Sequence, residues 1–435
     1  MYSTGWGYGL GYGPYWRYGY GYWSGWGYAG YPCMIPIVIT CVIWRFIVKP
    51  LQFVTKVLPV AAAIFLLSAC SSKPIIGVLL PMTGSASTYG QSMKDGIDLA
   101  LDQEQANLPE GFQVLWSDTA SDPATGAAEL ERVAGQGARI ILAGTTSDTA
   151  RALLPVLDET DTIAISPSAS APSLTKDSRR FFRVFASDEL EGRRAGRFLY
   201  EDRDKTSVLI FAEDTAQARG IEPPFRQVFE QAMGGEVVGR ILIDSPKWEQ
   251  ESADLLAAHH PASVYVIAYG DKTIDVLRFL RKKNYDGPIC ASSAFYTGHI
   301  VESFPDLVEG VFFPQPAFDM KSESQLTQDF VATYRQRFQR DPDIYSAHAY
   351  DAMRVAIFVS GEASSFSATE IRKVLAFGIK EFPGVTGIIQ FNDYGDVRHN
   401  PIMFIIKDGQ VLNFERYIAE ERIKITEKIK KLLKG

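Results

Sequence analysis

Apolar runs of strand length alternate with segments of helical periodicity from Pro74 onward. The first runs predict buried strands over residues 75–80, 113–117, 139–143 and 162–166. The segments between them predict helices over residues 89–103, 122–134 and 147–158. This alternating order predicts a parallel sheet with helices on both faces and right-handed crossovers.

A second unit of the same kind is predicted after Ser187. Its strand candidates are residues 207–211, 237–243, 264–268 and 288–291, and its helix candidates are residues 220–233, 250–259 and 272–283. Since 435 residues exceed what one compact core usually serves, two globular units are expected. The predicted fold class is therefore α/β, with two lobes that each carry a parallel central sheet.

The end of the chain predicts further helices, a hairpin and a terminal amphipathic helix. The helices are 325–338, 346–360 and 368–377, and the strands are 388–391, 403–406 and 411–414. Asp408-Gly409, between the last two strands, is a strong hairpin signal. Residues 420–434 combine isoleucines and leucines with lysines, so we expect the helix at 418–435 to dock on the body, with contact to a membrane surface as the alternative.

The residues before Cys70 have the composition of a leader. Residues 1–32 are mostly Gly, Tyr and Trp, with few aliphatic side chains for a core. Lys56 and the apolar run 57–67, which is too short to span about 30 Å of hydrocarbon, then lead to LSAC at 67–70. That tetrapeptide resembles the bacterial lipobox, so we expect residues 1–69 to comprise a low-complexity extension and a lipoprotein signal peptide, with the lipid on Cys70.

The length of this leader exceeds the usual 15–30 residues or so of a signal peptide. Two explanations stay open. Either translation begins near Val54, or the residues before it form a membrane-proximal extension of unknown role.

Charge and cysteine usage exclude some classes of partner. The formal net charge is −7, which gives no reason to expect nucleic acid or an anionic membrane surface as partner. Apart from Cys33, Cys41 and Cys70, the chain has only Cys290, so no internal disulfide is expected in the mature body. No Cys or His cluster has metal-ligand spacing, and we expect no metal and no cofactor.

Three loops after predicted strands are rich in hydroxyl side chains. They are residues 83–90, 144–149 and 166–170. In a parallel sheet, ligands bind beyond the carboxyl ends of the strands, where helix N-termini offer backbone amides to anionic groups. One such loop is explained as a helix cap, but three in one half of the chain predict a site for a small carboxylate or polyhydroxy ligand.

Short motifs spread from residue 74 to 417 resemble the branched-chain amino-acid (Leu/Ile/Val)-binding family, the type I periplasmic solute-binding proteins of ABC importers. The motifs are IGVLLPMTG at 76–84 leading to Tyr89-Gly90, ISPSAS at 165–170 running on to Leu174-Thr175, Phe182-Arg183, Tyr350-Asp351-Ala352, and GVTG at 384–387 leading to Phe391 and Gly395-Asp396. Each motif is weak alone, but their order and spacing together are specific.

The resemblance implies a Venus-flytrap architecture, in which two Rossmann-like lobes joined by three crossovers close on a ligand by hinge motion. The crossovers would fall near Ser187 and at residues 313–316 and 388–393. The first lobe would comprise residues 74–187 and 317–388, and the second residues 188–316 and 389–417. The protein would be a lipid-anchored solute-binding protein of the periplasm or outer cell surface that delivers a small polar solute, such as an amino acid, to an ABC permease and ATPase.

The resemblance also implies ligand contacts, position by position. Ser147, Ser168 and Ser170 match hydroxyl and amide contacts to a ligand carboxylate, and Thr146 precedes Ser147 in the loop 144–149. Tyr89 matches an aromatic wall in the first lobe. Tyr269 matches an aromatic contact from the second lobe.

Two candidate positions depart from the family pattern. Gln217 stands where the family often has Tyr-Gly, and Ser293 stands near the place of a Glu that pairs with the ligand ammonium. An unpaired buried ammonium costs several kcal/mol, so a simple branched-chain amino acid is not the expected ligand. Asp214 or Asp271 are candidate substitutes for the missing carboxylate.

Two alternatives differ in function. An enzyme is not expected, because no phosphate-binding Gly-rich loop with Lys follows the first strand, and no nucleophile elbow or zincin helix occurs. A ligand-sensing or cell-envelope regulatory protein with the same fold and no transport role stays open. Neighbouring genes for permeases and ATPases would favour transport.

Overall fold

The computed structural model describes residues 73–296 and 298–433, with only the backbone described at residues 298 and 299. The predicted leader and the predicted lipidation at Cys70 lie outside the described residues. The described residues belong to one compact unit, which begins at Ser72. None of the helices in these ranges has the length and apolar content of a membrane span.

The first part of the chain alternates strands and helices. The strands are β1 (Ile75–Leu80), β2 (Gln113–Asp118), β3 (Ile140–Leu142), β4 (Ile163–Ser166) and β5 (Phe181–Arg183). The helices between them are α1 (Ser87–Gln103), α2 (Pro123–Gly135), α3 (Ser147–Glu159) and α4 (Ser173–Asp177). Every residue of β3 and β4 is buried, as expected for strands covered on both faces.

The middle part repeats this alternation. Its helices are α5 (Asp188–Arg197), α6 (Ala216–Arg226), α7 (Trp248–His259), α8 (Gly270–Lys282), α9 (Gly298–Ser303) and α10 (Pro305–Val308). Its strands are β6 (Ser207–Ala212), β7 (Glu236–Leu242), β8 (Ser263–Ile267), β9 (Ile289–Ala291) and β10 (Phe312–Gln315). Short π-helical turns extend α5 and α6, over Phe198–Asp202 and Gln227–Ala232.

The last part adds helices and two hairpins. The helices are α11 (Gln325–Phe338), α12 (Ile344–Glu362), α13 (Ala368–Lys373) and α14 (Phe414–Leu432), and the strands are β11 (Phe382–Gly384), β12 (Gly387–Ile389), β13 (Ile402–Lys407) and β14 (Gln410–Asn413). Asp408 and Gly409 have φ values of 52° and 68°, the left-handed conformation that a two-residue type I′ turn requires. The predicted hairpin is therefore confirmed.

The strands form two main sheets. The first has the order β2-β1-β3-β4-β5 and is parallel throughout. The second has the order β14-β13-β10-β9-β8-β6-β7 and is parallel except at β13, which runs antiparallel to both β10 and β14. Strand order reverses between β1 and β3 and again between β6 and β8, so each lobe has a topological switch point, where open α/β sheets bind ligands.

Helices from the end of the chain complete the first lobe. Met93 and Ile97 of α1 share one apolar core with Met353 of α12. The two helices cross at Gly96, where a Cβ atom would lie 2.0 Å from the carbonyl oxygen of Ser346. Only glycine fits such an approach, so the sequence permits this crossing at one position of α1.

The third crossover comes later than residues 388–393, where the sequence analysis expects it. Phe391 and Val397 are buried in the core of the first lobe, and the Phe391 ring lies 5.3 Å from that of Phe182. Asp396 forms a 2.6 Å ion pair with Arg183 of β5. Because these contacts fix residues 389–397 to the first lobe, the chain enters the second lobe only between Val397 and β13.

The terminal helix docks over a shorter length than expected. Phe414 packs on the rings of Phe198 and Phe312, with centroids 5.2 and 5.5 Å away, and Arg416 bonds to Asp319 at 2.7 Å. Every residue from 422 to 433 is exposed. The expectation of docking is therefore wrong for this second half of α14, because no described element faces it with an apolar surface.

Candidate ligand-binding cleft

The predicted site residues lie at the carboxyl ends of strands in both sheets. In the first lobe these are Tyr89 after β1, Thr146 and Ser147 after β3, and Ser168 and Ser170 after β4. In the second lobe these are Gln217 after β6, Tyr269 after β8 and Ser293 after β9. The positions after β1 and β3, and those after β6 and β8, flank the two switch points.

Tyr269 lies on the rim of the second lobe, where charged groups of both lobes influence its pKa. Its side chain is 49% exposed, and its amide donates to Glu213 at 3.1 Å. Partial burial raises its pKa to about 12, helped by negative charge at Asp188, Glu213, Tyr89 and Asp148. Tyr89 and Asp148 belong to the first lobe, so groups from both lobes surround this ring.

The N-terminus of α3 presents donors to this space. The Oγ1 of Thr146 caps the helix by accepting from the amide of Thr149 at 3.2 Å. The Oγ of Ser147 accepts from the amide of Ala171 at 3.1 Å, which leaves its own proton for another acceptor. Together with the unpaired amides of the first helical turn, this hydroxyl suits an anionic group.

Ser168 and Ser170 differ in what they can offer. The hydroxyl of Ser168 is buried and donates to the carbonyl of Thr145 at 2.7 Å, so its proton is already used. The carbonyl of Ser170 accepts from the amide of Asp188 at 3.0 Å, and its hydroxyl lies beside the Asp188 carboxyl group. Ser147 is therefore placed to donate to an anion and Ser168 is not, whereas the Ser170 hydroxyl is shared with Asp188.

A buried carboxylate from α5 reaches Ser293. Glu191 accepts from the Ser293 amide at 2.9 Å, and its other oxygen lies 2.6 Å from the Ser293 hydroxyl. Only 5% of Glu191 is exposed. Burial, and then the negative charge of Asp188, raises the pKa of Glu191 to about 8 against the effect of the Ser293 bonds.

Asp188 lies one helical turn before Glu191. Neither of its carboxyl oxygens has a hydrogen-bond partner within the described ranges, and the residue is almost completely buried. Burial raises its pKa to about 7, although Ser170 and Arg183 act in the opposite direction. Burial therefore favours the protonated form of both carboxyl groups, whereas a cation beside them would favour the charged form.

An aromatic wall lines the cleft on the side of the first lobe. The rings of Tyr89 and Tyr345 lie 4.7 Å apart, and Phe185 stacks on Tyr345 at 6.3 Å. Burial raises the pKa of Tyr345 well above its ordinary value, so its hydroxyl stays protonated. On its other side Phe185 contacts His348, and burial lowers the pKa of that histidine to about 3.

Two cavities are lined by residues of both lobes. A polar cavity of about 780 Å³ is lined by Asp148 and Ala171 of the first lobe and by Ala216 and Gly220 of the second, among others. A more apolar cavity of about 570 Å³ is lined on its two sides by Tyr89, Phe318 and Tyr345 and by Tyr296 and Tyr417, among others.

The ligand-binding residues predicted from the sequence lie near different cavities. Tyr89 lines the apolar one, whereas Ser147, Ser170 and Gln217 adjoin residues that line the polar one. Nowhere in residues 73–296 and 298–433 does a group of His, Cys, Asp and Glu side chains form a metal site.

Comparison with models of known protein families assigns the chain to a family. Residues 75–409 match the model of the periplasmic binding protein family. The chain belongs to this family. The affiliation predicted from the motifs, to the type I periplasmic binding proteins of the branched-chain amino-acid type, is thereby confirmed.

Individual relatives of this binding protein are distant in sequence. The Leu/Ile/Val-binding protein BraC3 of Rhizobium johnstonii is 23% identical over 328 residues, which cover 74% of this chain and 88% of that protein. The leucine binding protein LivK of Thermotoga maritima has a TM-score of 0.69 at 23% identity, covering 78% of this chain and 97% of its own. A solute-binding protein of R. palustris in complex with benzoate has a TM-score of 0.65 at 19% identity, covering 78% and 95%. At these identities the solved structures show the shared fold.

The buried carboxylates of this binding protein are not the ones proposed from its sequence. Asp214 is exposed and bonds to Arg219, and Asp271 is exposed in the first turn of α8. Ser293 bonds instead to Glu191 of α5, so Glu191 stands in the place for which Asp214 or Asp271 were suggested. The sequence DELE at 188–191 could have indicated the buried acids Asp188 and Glu191. Acidic residues in the first turn are typical of any helix N-terminus, however, so the pattern is not specific.

Proposed function

We propose that this protein is the solute-binding component of an ABC importer and captures a small amino-acid-like carboxylate between its lobes. The observation that supports this most is the polar cavity between the lobes, which is lined by Asp148 and Ala171 on one side and by Ala216 and Gly220 on the other, beside the two switch points. Membership of a solute-binding family supports the same role. Bound solute would pass to a permease driven by an ATPase.

The first lobe supplies the partners for the ligand carboxylate. Ser147 has a free hydroxyl proton, since its oxygen already accepts from Ala171. Ser170 lies on the adjacent loop, and the amides at the start of α3 favour negative charge. A hydrogen bond to a charged group contributes about 1.5–3 kcal/mol, so two hydroxyls suffice for strong selection of carboxylates.

The second lobe supplies the partner for a ligand ammonium. Glu191 of α5 hydrogen-bonds to Ser293. Ser293 is the position near which the family pattern has a glutamate. With its pKa at about 8, Glu191 holds its proton at neutral pH when the cleft is empty. An ammonium beside it favours the charged form, so binding an amino acid would release a proton.

The aromatic wall supports a second ligand class. Tyr89, Tyr345 and Tyr269 give the cleft an apolar rim, and one structural relative holds benzoate. A simple aromatic carboxylate would use the first lobe in the same way and leave Glu191 protonated. The two classes therefore differ in whether binding displaces a proton.

A thermal-shift screen followed by calorimetry separates these classes. Leucine and phenylalanine are compared with 4-methylpentanoate and 3-phenylpropionate, which lack the amino group, and with benzoate. A ligand at a hundred times its Kd stabilises the fold by about 2.7 kcal/mol, which a melting curve resolves. Calorimetry at neutral pH in buffers of different ionisation enthalpy then measures the protons released.

Substitutions assign the released proton. Glu191→Gln should abolish proton release and weaken binding of the amino acids, whereas Asp271→Asn removes an exposed carboxylate of the same lobe and should change neither. Tight binding of the acids that lack an amino group, without proton release, would contradict the role of Glu191 and leave solute capture intact. No binding by any compound, together with no closure in X-ray scattering, would contradict solute capture itself.

We also infer that Cys70 carries the lipid that holds the protein at the periplasmic or outer face of a membrane. The lipobox-like LSAC at 67–70 after an apolar run supports this. Metabolic labelling with palmitate should mark the wild-type protein and not Cys70→Ala. Labelling of Cys70→Ala to the same extent would contradict the inference.

A further inference from the structure

The second half of α14 presents an apolar stripe that no described element covers. Ile425, Ile429 and Leu432 are exposed by 55%, 50% and 73%. Their spacing of three and four residues places them on one face of the helix, and Ile418, one heptad before Ile425, begins the same stripe against the body. The stripe thus starts in the core of the second lobe and continues into solvent.

Basic residues flank this stripe. Arg422, Lys424, Lys428, Lys430 and Lys431 fall within ten residues, against Glu427 alone. The whole chain has a net charge of −7, so this segment is a local excess of positive charge in an acidic chain. An amphipathic helix with lysines beside an apolar face is the arrangement that lies in the plane of a membrane surface.

We propose that residues 422–433 of α14 bind the surface of an anionic lipid bilayer, with the apolar stripe in the headgroup region and the lysines against the lipid phosphates. Charge complementarity selects this occupant over a second copy of the chain. Pairing two such stripes would bring Lys428 and Lys431 next to identical charges, whereas anionic headgroups neutralise them. The proposal depends neither on ligand binding nor on the lipid at Cys70.

Vesicle co-sedimentation tests this directly. The compact unit that begins at Ser72 contains both sheets and their cores, so it can be tested without the leader. We expect it to sediment with phosphatidylcholine vesicles that contain phosphatidylglycerol and to remain in solution with phosphatidylcholine alone. Raising the salt from about 0.1 M to 1 M shortens the Debye length from about 10 Å to 3 Å and should release most of the protein.

Two sets of variants separate the contributions of charge and stripe. Each basic residue near an anionic surface contributes about fivefold to binding, so Lys428→Gln, Lys430→Gln and Lys431→Gln together should lower the partition coefficient about a hundredfold. The matched control replaces the exposed Lys247, Lys282 and Lys380 of the body by glutamine. This control changes the net charge by the same amount and should have little effect on vesicle binding.

The stripe has its own pair of variants. Ile425→Gln with Ile429→Gln should lower binding about tenfold, whereas Phe377→Gln with Ile388→Gln, which removes exposed apolar side chains elsewhere, should not. Equal binding by all variants, or equal binding to neutral vesicles, would overturn the proposal. So would a dimer in solution that both α14 variant sets dissociate, since a second copy would then cover the stripe. All positions are exposed, so unchanged melting curves verify that each variant folds.

Discussion

The two rims of the cleft differ in the groups that they offer to a charged ligand. On the first lobe, Ser147 and the start of α3 offer neutral donors at the surface. On the second lobe, Asp188 and Glu191 keep their carboxyl groups out of water at the base of the cleft. A donor-rich rim favours an anion, and buried acids that lose their protons on binding need a cation beside them. The pair therefore fits a small ligand that carries both charges in a fixed orientation.

The largest effect should come from the first rim. Ser147→Ala with Ser170→Ala removes two donors to a charged group, so ligand affinity should fall at least about a hundredfold in calorimetry. Ser168→Ala is the matched control, because its proton already bonds to Thr145. It should lower stability by about 1 kcal/mol and leave affinity nearly unchanged. Full affinity in the double variant would show that the ligand carboxylate does not bind to this rim.

The second rim should govern how stability depends on pH. Folding raises the pKa of Glu191 to about 8 and that of Asp188 to about 7, so the folded state holds protons that the unfolded state releases. Stability is then fully present at low pH and is lost as pH rises through these values, by about 2 kcal/mol between pH 6.5 and 8. The folded pKa of His348 is about 3 against an ordinary 6.5, so this residue lowers stability mainly as pH falls below the window.

Denaturant titrations across this window measure that slope. Glu191→Gln should remove most of it, whereas Ser147→Ala should leave it unchanged, since no raised carboxyl pKa depends on Ser147. A wild-type protein whose stability is flat from pH 6.5 to 8 would show that the two acids are ionised in the empty cleft.

The aromatic residues of the two rims should separate affinity from stability. Tyr269 is half exposed, so Tyr269→Ala should weaken ligand binding about tenfold with little change in melting temperature. Tyr89 packs on Tyr345, so Tyr89→Ala should lower both. Equal losses of stability in the two variants would contradict the distinction.

The smallest effect concerns how closely the rims approach. At Gly220 an added Cβ would lie 2.8 Å from an Asp188 carboxyl oxygen and 3.2 Å from Pro172 of the first lobe. Gly220→Ala should therefore oppose closure and weaken binding a few-fold. Gly135→Ala, where a Cβ has open space, is the control and should leave affinity unchanged. Unaltered binding in both would mean that this contact is not part of closure.

Apolar periodicity predicted most of the fold, and its failures have physical causes. The buried strands β1 and β6 were placed within a residue because they are continuous apolar runs. Helix α5 was not predicted, because it buries small and acidic residues such as Gly192, Ala195 and Glu191 instead of an apolar stripe. Strand β10 was taken only as part of a crossover, since it is short and contains Pro314.

The first rim was predictable for a local reason that the second lacks. Ser147 and Ser170 stand in loops whose role follows from neighbouring strands and helices. Glu191 and Ser293 are 102 residues apart, and nothing local to either residue indicates that they meet. The basic, amphipathic character of α14 was predictable from its own local pattern, but the exposure of its second half was not, because it depends on which elements pack beside it.

The split construction of the first lobe has a consequence for its biogenesis. Its sheet is complete once β5 has been synthesised, but the apolar face covered by α12 has no partner until residue 362 emerges from the ribosome. The second sheet waits in turn for β13 and β14. Neither half can therefore close its core before nearly the whole polypeptide exists, and domains that finish late stay open to chaperones for longer. For a member of a periplasmic binding protein family, such a delay favours export, because the chain stays unfolded for longer.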